Sequence, residues 1–273
     1  MQNDKPLVSF IITSYNYEKY IEAAVNSVLN QSVQDFEIII VDDASSDNSF
    51  DIIQKIASSN DKIKIFQNKK NIGLCKSLQF AVNQASGTWL AFLETDDTIT
   101  SNYLQEKLSV IQKYPDVNFI YNKVEFTGEN KQYAEQKFKN IVYNNEKNIY
   151  PKNMFYDFGF ENPVLTMSSV MLKKSILNDI NFNTPIDKLI DWYIYIQIAK
   201  KTQFYYINKP LTLWTQHNNS YVKQNNKIKF KFANISAYMN IYKKEPYNIK
   251  LLVFIIISTI KMCIKRLKFY ISK

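Results

Sequence analysis

An apolar run at residues 90–93 ends abruptly in Glu94, Asp96 and Asp97, three carboxylates within four positions. Burying such a cluster is costly unless a positive charge neutralises it. Clusters of oxygen ligands suit Mg²⁺ or Mn²⁺, and these ions commonly accompany the phosphates of a nucleotide. An acidic turn that follows a strand and faces water would give the same triplet. The surrounding elements have to distinguish a metal site from a surface turn.

Four apolar runs of strand length alternate with three segments of helical spacing in the first part of the chain. The pattern predicts strands at residues 7–13, 36–41, 63–66 and 89–93, and helices at residues 20–29, 50–57 and 73–84. Strands that are apolar throughout and alternate with helices are typical of a parallel sheet covered on both faces. The sequence therefore predicts an α/β fold with a Rossmann-like, mostly parallel sheet flanked by helices.

Polar segments directly follow three of the predicted strands. They occupy residues 13–16, 42–47 and 94–97. In open parallel sheets, ligands bind beyond the carboxyl ends of the strands. We therefore expect all three segments to meet at one edge of the sheet. This convergence favours a binding site over a surface turn.

Five ordered segments carry a family resemblance. They read VSFIITSYN at 8–16, SVLNQ at 27–31, FEIIIVDDASSD at 36–47, NIGL at 71–74 and ASGTWLAFLETDD at 85–97. Together they resemble the family 2 glycosyltransferases over roughly residues 6–104. The resemblance implies a GT-A fold, a nucleotide-diphosphate sugar as donor, a divalent metal and inversion at the anomeric carbon.

The resemblance implies roles for residues at the donor side. Thr13 and Tyr15 stand where the family contacts the nucleotide. Asp43, with Asp42 beside it, stands where a carboxylate accepts a hydrogen bond from the base, and the N3–H of uracil would be a natural donor. Turn formation and helix capping would also account for the two aspartates. Lys76 would either reach phosphate or remain a solvated lysine on a helix.

The acidic stretch corresponds to the metal-binding DXD motif of the family. Glu94, Thr95 and Asp96 take its three positions, and Asp97 follows. We expect Asp96 to be the main metal ligand, with Asp97 next. Glu94 replaces the usual aspartate and is one methylene longer, so both ribose contact and metal contact stay open for it. The metal, Mn²⁺ or Mg²⁺, would neutralise charge on the departing nucleoside diphosphate.

Inversion needs a base that deprotonates the acceptor hydroxyl. In the family the base belongs to an acidic pair just before a helix. Asp191 aligns with the aspartate of that pair, and Ile190 replaces the glutamate. Asp187 is the alternative base, and helix capping is the alternative role for Asp191.

His217 is the only histidine of the chain. A lone histidine is commonly structural, but its position resembles that of a family histidine that approaches the metal or the diphosphate. The family often has an arginine just before this residue, where Thr215 and Gln216 stand here. Phosphate neutralisation would then depend on Lys223 or on the metal.

The second half of the chain resembles the family less clearly. Its pattern predicts a helix at residues 104–111, a strand at 119–126 and another strand at 164–172. Residues 128–150 are polar and predict a surface excursion or lid. In the strand at 164–172, hydroxyl side chains would either face the acceptor or be ordinary strand hydroxyls: Thr166, Ser168 and Ser169.

The charge is concentrated at the end of the chain. Residues 221–273 contain 11 Lys, 1 Arg and 1 Glu, which gives this segment a formal charge of +11. Since the whole chain has a net charge of +9, the first 220 residues carry −2. The apolar run at 251–257 is too short to span a bilayer, which takes about 20 residues. A basic amphipathic helix would contact an anionic membrane surface, pack on the domain or form a dimer contact. No recognition module suggests nucleic acid.

These observations predict a GT-A domain at residues 1–220, with a nucleotide-binding half at 1–104 and an acceptor-side half at 105–220, followed by a basic helical extension at 221–273. The expected enzyme is a cytoplasmic, metal-dependent hexosyltransferase, with a UDP-sugar as donor and a glycan or lipid-linked glycan as acceptor. A nucleotidyltransferase is one alternative, although residues 13–16 lack its Gly-rich basic phosphate loop. A non-catalytic nucleotide or glycan binder is the other.

Overall fold

The computed structural model describes residues 5–159, 161–182, 190–217, 235, 238–243 and 248–271, with side chains in the last helix described through residue 260. Within these ranges no helix combines the length and the hydropathy that crossing a bilayer requires. Asp187 and Lys223 lie outside the described residues.

The first half forms a parallel sheet with helices between its strands. Its strands are β1 (Val8–Ser14), β2 (Phe36–Asp42), β3 (Ile63–Gln67) and β4 (Trp89–Glu94). Its helices are α1 (Ile21–Leu29), α2 (Ser49–Ala57) and α3 (Leu74–Gln84). The strands lie in the order β3-β2-β1-β4, and every neighbouring pair is parallel. The predicted elements of this half are confirmed.

The second half extends the same sheet with strands of both directions. Its elements are β5 (Thr98–Ile99), α4 (Tyr103–Lys113), β6 (Phe119–Thr127), α5 (Lys131–Lys147), β7 (Val170–Lys173), α6 (Ile190–Ala199) and β8 (Phe204–Thr215). The full order is β3-β2-β1-β4-β7-β6-β8-β5, and β7 pairs antiparallel with β4 and with β6. Four of the seven described strand pairs are parallel, so the sheet is mixed.

Both faces of the sheet are buried under helices. Successive side chains of each strand alternate between the two faces. Ile11 and Ile39 join a cluster on one face that includes residues of α3 and α6. Phe10 and Ile38 join a cluster on the other face that includes residues of α1 and α4. This double cover explains why β1 and β2 are mostly apolar on both faces, with the buried Ser9 and Glu37 hydrogen-bonded to each other. The strand ends are the accessible part of the sheet.

Residues 128–150, predicted to be a surface excursion or lid, do lie largely at the surface, but most of them form a regular helix. Helix α5 occupies residues 131–147, and Ala134 packs in a small cluster with Phe126 and Trp214. Only a narrow stripe of this helix is apolar, which hides its periodicity in the sequence.

The predicted strand at 164–172 is shorter than expected. A 3₁₀ turn at Met167–Ser169 precedes β7. That turn brings hydroxyl side chains to the end of β4.

The C-terminal helix α7 (Ile249–Ile271) packs against the domain through one side. Leu251 and Ile255 are buried in the cluster that contains α3 and α6. The predicted contact of this helix with the domain is therefore observed. The opposite side of α7 is exposed.

Candidate active site

The three polar segments meet at one edge of the sheet, as the sequence predicts. Ser14 lies opposite Asp42 in the pairing of β1 with β2, and Thr13 lies opposite Glu94 in the pairing of β1 with β4. The carboxyl ends of these three parallel strands are therefore level. The polar segments that follow them form one continuous rim.

Asp43 is buried and holds the loop before α3. Its Oδ1 accepts hydrogen bonds from Asn68 Nδ2 at 2.8 Å and from the Ile72 amide at 2.9 Å, and its Oδ2 accepts one from the Gly73 amide at 2.8 Å. Gly73 has φ +86°, a conformation that favours glycine. A carboxylate offers about four acceptor positions, so one position on Oδ2 is left for a ligand.

Asp42 has a different set of partners. Its carboxylate accepts from the Ser45 amide at 3.0 Å, from the Ser45 hydroxyl at 2.5 Å and from Gln67 Nε2 at 3.3 Å. The side chain is fully buried. Asp42 shapes the turn, and Asp43 is the better placed of the two to meet a base.

The segment after β1 is tied to the segment after β2. The Asn16 amide donates to Ser45 Oγ at 2.9 Å, and Asn16 Oδ1 accepts from the Ser46 amide at 2.8 Å. Tyr15 is 44% exposed beside this junction, which leaves its ring available to a ligand. Thr13 lies at the end of β1, and its carbonyl accepts from Thr95 Oγ1 at 2.7 Å. The Thr95 hydroxyl therefore joins β4 to β1.

Asp96 and His217 are brought together from positions 121 residues apart. His217 Nε2 lies 2.9 Å from Asp96 Oδ2, and both side chains are partly exposed. The Tyr20 ring stacks on the His217 ring with centroids 5.3 Å apart. Burial, followed by the charges of Asp96, Glu94 and Asp97, raises the pKa of Tyr17. Two tyrosines therefore line the same pocket as the acidic turn.

Asp97 is buried and occupied by donors from the second half of the chain. It accepts from the Thr215 amide at 2.9 Å and from Ser168 Oγ at 2.6 Å, and Thr166 Oγ1 lies 3.1 Å away. Burial, with the charges of Asp96 and Glu94, raises the pKa of Asp97 well above its usual range. These contacts make Asp96 the better placed of the two aspartates for an ion.

Glu94 lies between the acidic turn and α6. Its carboxylate accepts from Thr166 Oγ1, and its amide donates to Ser168 Oγ at 2.9 Å. Burial, Asp96 and then Asp191 raise the pKa of Glu94 to about 7. Thr166 and Ser168 thus hold the acidic cluster, a role that the sequence did not indicate.

Asp191 lies in the first turn of α6. Its Oδ2 accepts from Asn162 Nδ2 at 3.1 Å, and burial raises its pKa. The loop that carries Asn162 is fixed by a hydrogen bond from Asn145 Nδ2 of α5 to the Pro163 carbonyl at 2.8 Å. Asn162 and Asn145 are further residues that no sequence pattern indicated.

Lys107 supports the turn at Met167–Ser169 from behind. Its side chain is fully buried, and Nζ donates to the Ser169 carbonyl at 2.7 Å. Burial lowers the pKa of Lys107 well below its usual range. Lys76, by contrast, is exposed on α3.

Asp96 and His217 fit a divalent ion whose coordination is completed by phosphate and water oxygens. Their 2.9 Å separation is close to the distance of about 3 Å between neighbouring ligands on an octahedral ion with bonds of about 2.1 Å. The described residues contain no group of three or more His, Cys, Asp or Glu side chains that could hold a metal. Such a site would suit Mg²⁺ or Mn²⁺, which commonly keep waters and bind through substrate phosphates.

Comparison with known proteins identifies the family. The family described as Glycosyl transferase family 2 matches residues 9–180. This chain is a family 2 glycosyltransferase. It is 31% identical over 206 residues to the Escherichia coli UDP-Glc:alpha-D-GlcNAc-diphosphoundecaprenol beta-1,3-glucosyltransferase WfgD, a match that covers 75% of this chain and 74% of WfgD. It is 39% identical over 113 residues to the Bacillus subtilis putative teichuronic acid biosynthesis glycosyltransferase TuaG, covering 41% of this chain and 45% of TuaG.

Solved structures show that this family 2 glycosyltransferase has a GT-A fold. Staphylococcus aureus TarS 1–349 in complex with UDP-GlcNAc superposes with a TM-score of 0.65 at 20% identity, over 86% of this chain and 66% of that chain. The Pyrobaculum calidifontis mannosyltransferase PcManGT in complex with GDP-Man and Mn²⁺ gives 0.63 at 14% identity, over 88% and 65%. The chain thus spans just under two thirds of each of these solved chains. The family match ends at residue 180, so Asp191 and His217 lie beyond it.

Proposed function

We propose that this glycosyltransferase moves a hexosyl group from a UDP-sugar to a hydroxyl of a glycan or lipid-linked glycan, with inversion at the anomeric carbon and with bound Mn²⁺ or Mg²⁺. The observation that carries the proposal is the position of Glu94. Its carboxyl is close enough to Asp96, which contacts His217, and to Asp191 for the charges of both to raise its pKa. Donor and acceptor groups can therefore meet at one point on the rim.

The donor nucleotide would bind along the ends of β1 and β2. The free acceptor position of Asp43 would take the N3–H of uracil, and the exposed ring of Tyr15 would cover the nucleotide beside Thr13. Asp42 would fix this loop through Ser45. The donors named for WfgD and for the TarS complex are UDP-sugars, which supports uridine as the base.

Asp96 and His217 would hold the divalent ion against the diphosphate. When bound, the ion neutralises the charge that develops on the leaving nucleoside diphosphate. Thr166 and Ser168 would keep Glu94 and Asp97 in place around it.

Asp191 would accept the proton of the acceptor hydroxyl as that oxygen attacks the anomeric carbon. A raised pKa brings a carboxylate closer to the working pH and makes it a stronger base. Asn162 would orient the carboxylate through its hydrogen bond to Oδ2. A single displacement assisted by one base inverts the anomeric configuration.

A donor panel tests the proposal. Purified protein with Mn²⁺ is given UDP-sugars and a diphospholipid-linked GlcNAc acceptor, and UDP release and the anomeric configuration of the product are measured. We expect release with at least one UDP-sugar, loss of release with EDTA and an inverted product. Calorimetry that detects no UDP binding with or without Mn²⁺ would contradict the proposed donor, and UDP binding without transfer to any acceptor would favour a non-catalytic binder.

A further inference from the structure

Helix α7 (Ile249–Ile271) has two faces with different surroundings. Leu251, Ile255 and Ser258 are buried against the domain. On the other side, five large aliphatic side chains are 43–74% exposed: Ile249, Val253, Ile256, Ile257 and Ile260. Their spacing places them along one stripe of the helix. We call these five residues the apolar stripe.

The apolar stripe continues in the sequence. Ile264, Leu267 and Ile271 repeat its helical spacing through the rest of α7. The helix is 23 residues long, or about 34 Å at 1.5 Å per residue. The five exposed aliphatic side chains at residues 249–260 form a group unlike the single apolar residues that are scattered over ordinary protein surfaces.

The charge of α7 is of one sign. Residues 249–271 contain five basic residues and no Asp or Glu, the basic ones being Lys250, Lys261, Lys265, Arg266 and Lys268. A second copy of this helix would bring a second set of like charges to the same interface. A surface with negatively charged groups outside and an apolar interior complements both the apolar stripe and the positive charge of α7.

We propose that α7 docks this protein on an anionic lipid bilayer, with the apolar stripe at the boundary between headgroups and acyl chains. Leu251 and Ile255 pack the helix against the domain, so the apolar stripe faces away from it. The helix would lie in the plane of the surface, since none of the described helices can cross a bilayer. This docking goes beyond the transfer reaction, and its test needs no sugar donor or acceptor.

Vesicle binding of the full chain tests the proposal. The protein is sedimented with vesicles of phosphatidylcholine alone and of phosphatidylcholine mixed with phosphatidylglycerol, at low and high salt. We expect at least roughly tenfold tighter binding to the anionic vesicles, weakened by salt, because several basic residues approach the surface.

Ile256→Glu removes an exposed member of the apolar stripe, and we expect it to weaken anionic-vesicle binding by roughly tenfold or more. Ile149→Glu is the matched control, because Ile149 is an isoleucine 88% exposed outside α7 and the charge change is the same. It should bind like the wild type. Thermal unfolding of both variants checks that the fold is kept.

Three results would overturn the proposal. The wild type could fail to distinguish anionic from neutral vesicles, or the two variants could bind the vesicles equally. Analytical ultracentrifugation could instead show a wild-type dimer that Ile256→Glu makes monomeric, together with no vesicle binding, which would make the apolar stripe an interface between two copies.

Discussion

The proposed donor side and the acidic cluster of this glycosyltransferase differ in how far apart along the chain their hydrogen-bonded residues lie. On the donor side, Asp43 binds the amides of Ile72 and Gly73, and Asn16 binds Ser45, all about 30 positions apart. In the acidic cluster, Thr166 reaches Glu94 across 72 positions and Thr215 reaches Asp97 across 118. Consecutive strand–loop units therefore form the proposed nucleotide site, whereas the proposed reaction centre needs the late segments of the chain.

The two sides also differ in how their carboxylates are satisfied. Three N–H donors surround Asp43, so its negative charge has partners in the free protein. Burial instead raises the pKa of Glu94, Asp97 and Asp191, and the acids of the cluster raise one another's further. The proposed donor site therefore has its hydrogen bonds in place in the free protein, whereas a bound cation or protonation would stabilise the acidic cluster.

Asp191→Asn should have the largest effect and should separate the two sides. We expect kcat to fall by roughly 10²- to 10⁴-fold, because the amide cannot accept the hydroxyl proton. UDP affinity should stay at the wild-type value, since Asp191 lies away from the donor loops. Steady-state kinetics and calorimetry measure the two quantities.

Asp179→Asn is the matched control for this variant. The Asp179 side chain is 93% exposed, and its ion pair is with Lys201 rather than with a residue of the site. The wild-type rate should also fall as the pH decreases through the raised pKa of Asp191, since a protonated carboxyl is no base. A wild-type rate in Asp191→Asn would assign the base to another residue.

Asp43→Asn should damage the donor side alone. Hydrogen bonds to a charged group contribute about 1.5–3 kcal/mol, so we expect UDP affinity to fall roughly 10- to 100-fold. Titration calorimetry with UDP measures this loss. Asp51→Asn, on an exposed position of α2, should bind UDP normally. Equal affinities in the two variants would show that Asp43 contributes nothing to the nucleotide pocket.

Thr166→Val should affect the acidic cluster and spare the donor loops. The variant keeps the shape of the side chain but removes the hydroxyl that donates to Glu94 and lies 3.1 Å from Asp97. Leaving buried carboxyl oxygens without a donor costs about 1–3 kcal/mol. We expect a lower unfolding temperature and weaker Mn²⁺-dependent binding of UDP. Thr166→Ser, which keeps the hydroxyl, should restore both; if it does not, packing rather than the hydroxyl explains the loss.

Lys107→Met should have the smallest effect and should change the pH dependence of stability. Burial lowers the pKa of Lys107, so the unfolded chain binds a proton that the folded chain lacks between that lowered value and about 10.4, the usual pKa of lysine. The free energy of unfolding should therefore rise with pH across this window, by up to about 1.4 kcal/mol per unit, and the methionine variant should lack this contribution.

Urea unfolding at pH 7 and pH 9 measures the difference. Lys113→Met, at an exposed lysine of the same helix, is the control. Its free energy of unfolding should change with pH as that of the wild type does. If the free energy of unfolding changes equally with pH in the wild type and in Lys107→Met, Lys107 keeps its proton on folding.

Sequence patterns predicted the first half of the fold well because its strands are mostly apolar and its helices have one apolar face. The roles of Thr166 and Ser168 could not be predicted, since a hydroxyl in a strand pattern gives no sign of a partner 70 residues away. Lys107 did leave a signal, because its spacing from Tyr103 and Leu104 puts it on the apolar face of α4. Helix α5 was missed because its apolar stripe is narrow.

We propose that Asp96 serves the donor and that Asp191 serves the acceptor, with Glu94 close to both. Calorimetry of UDP with and without Mn²⁺ on Asp96→Asn and Asp191→Asn, side by side, separates these two roles. We predict that Asp96→Asn loses the Mn²⁺-dependent part of UDP binding and that Asp191→Asn keeps it in full. Retained Mn²⁺-dependent binding in Asp96→Asn, or its loss in Asp191→Asn, would contradict this division of roles.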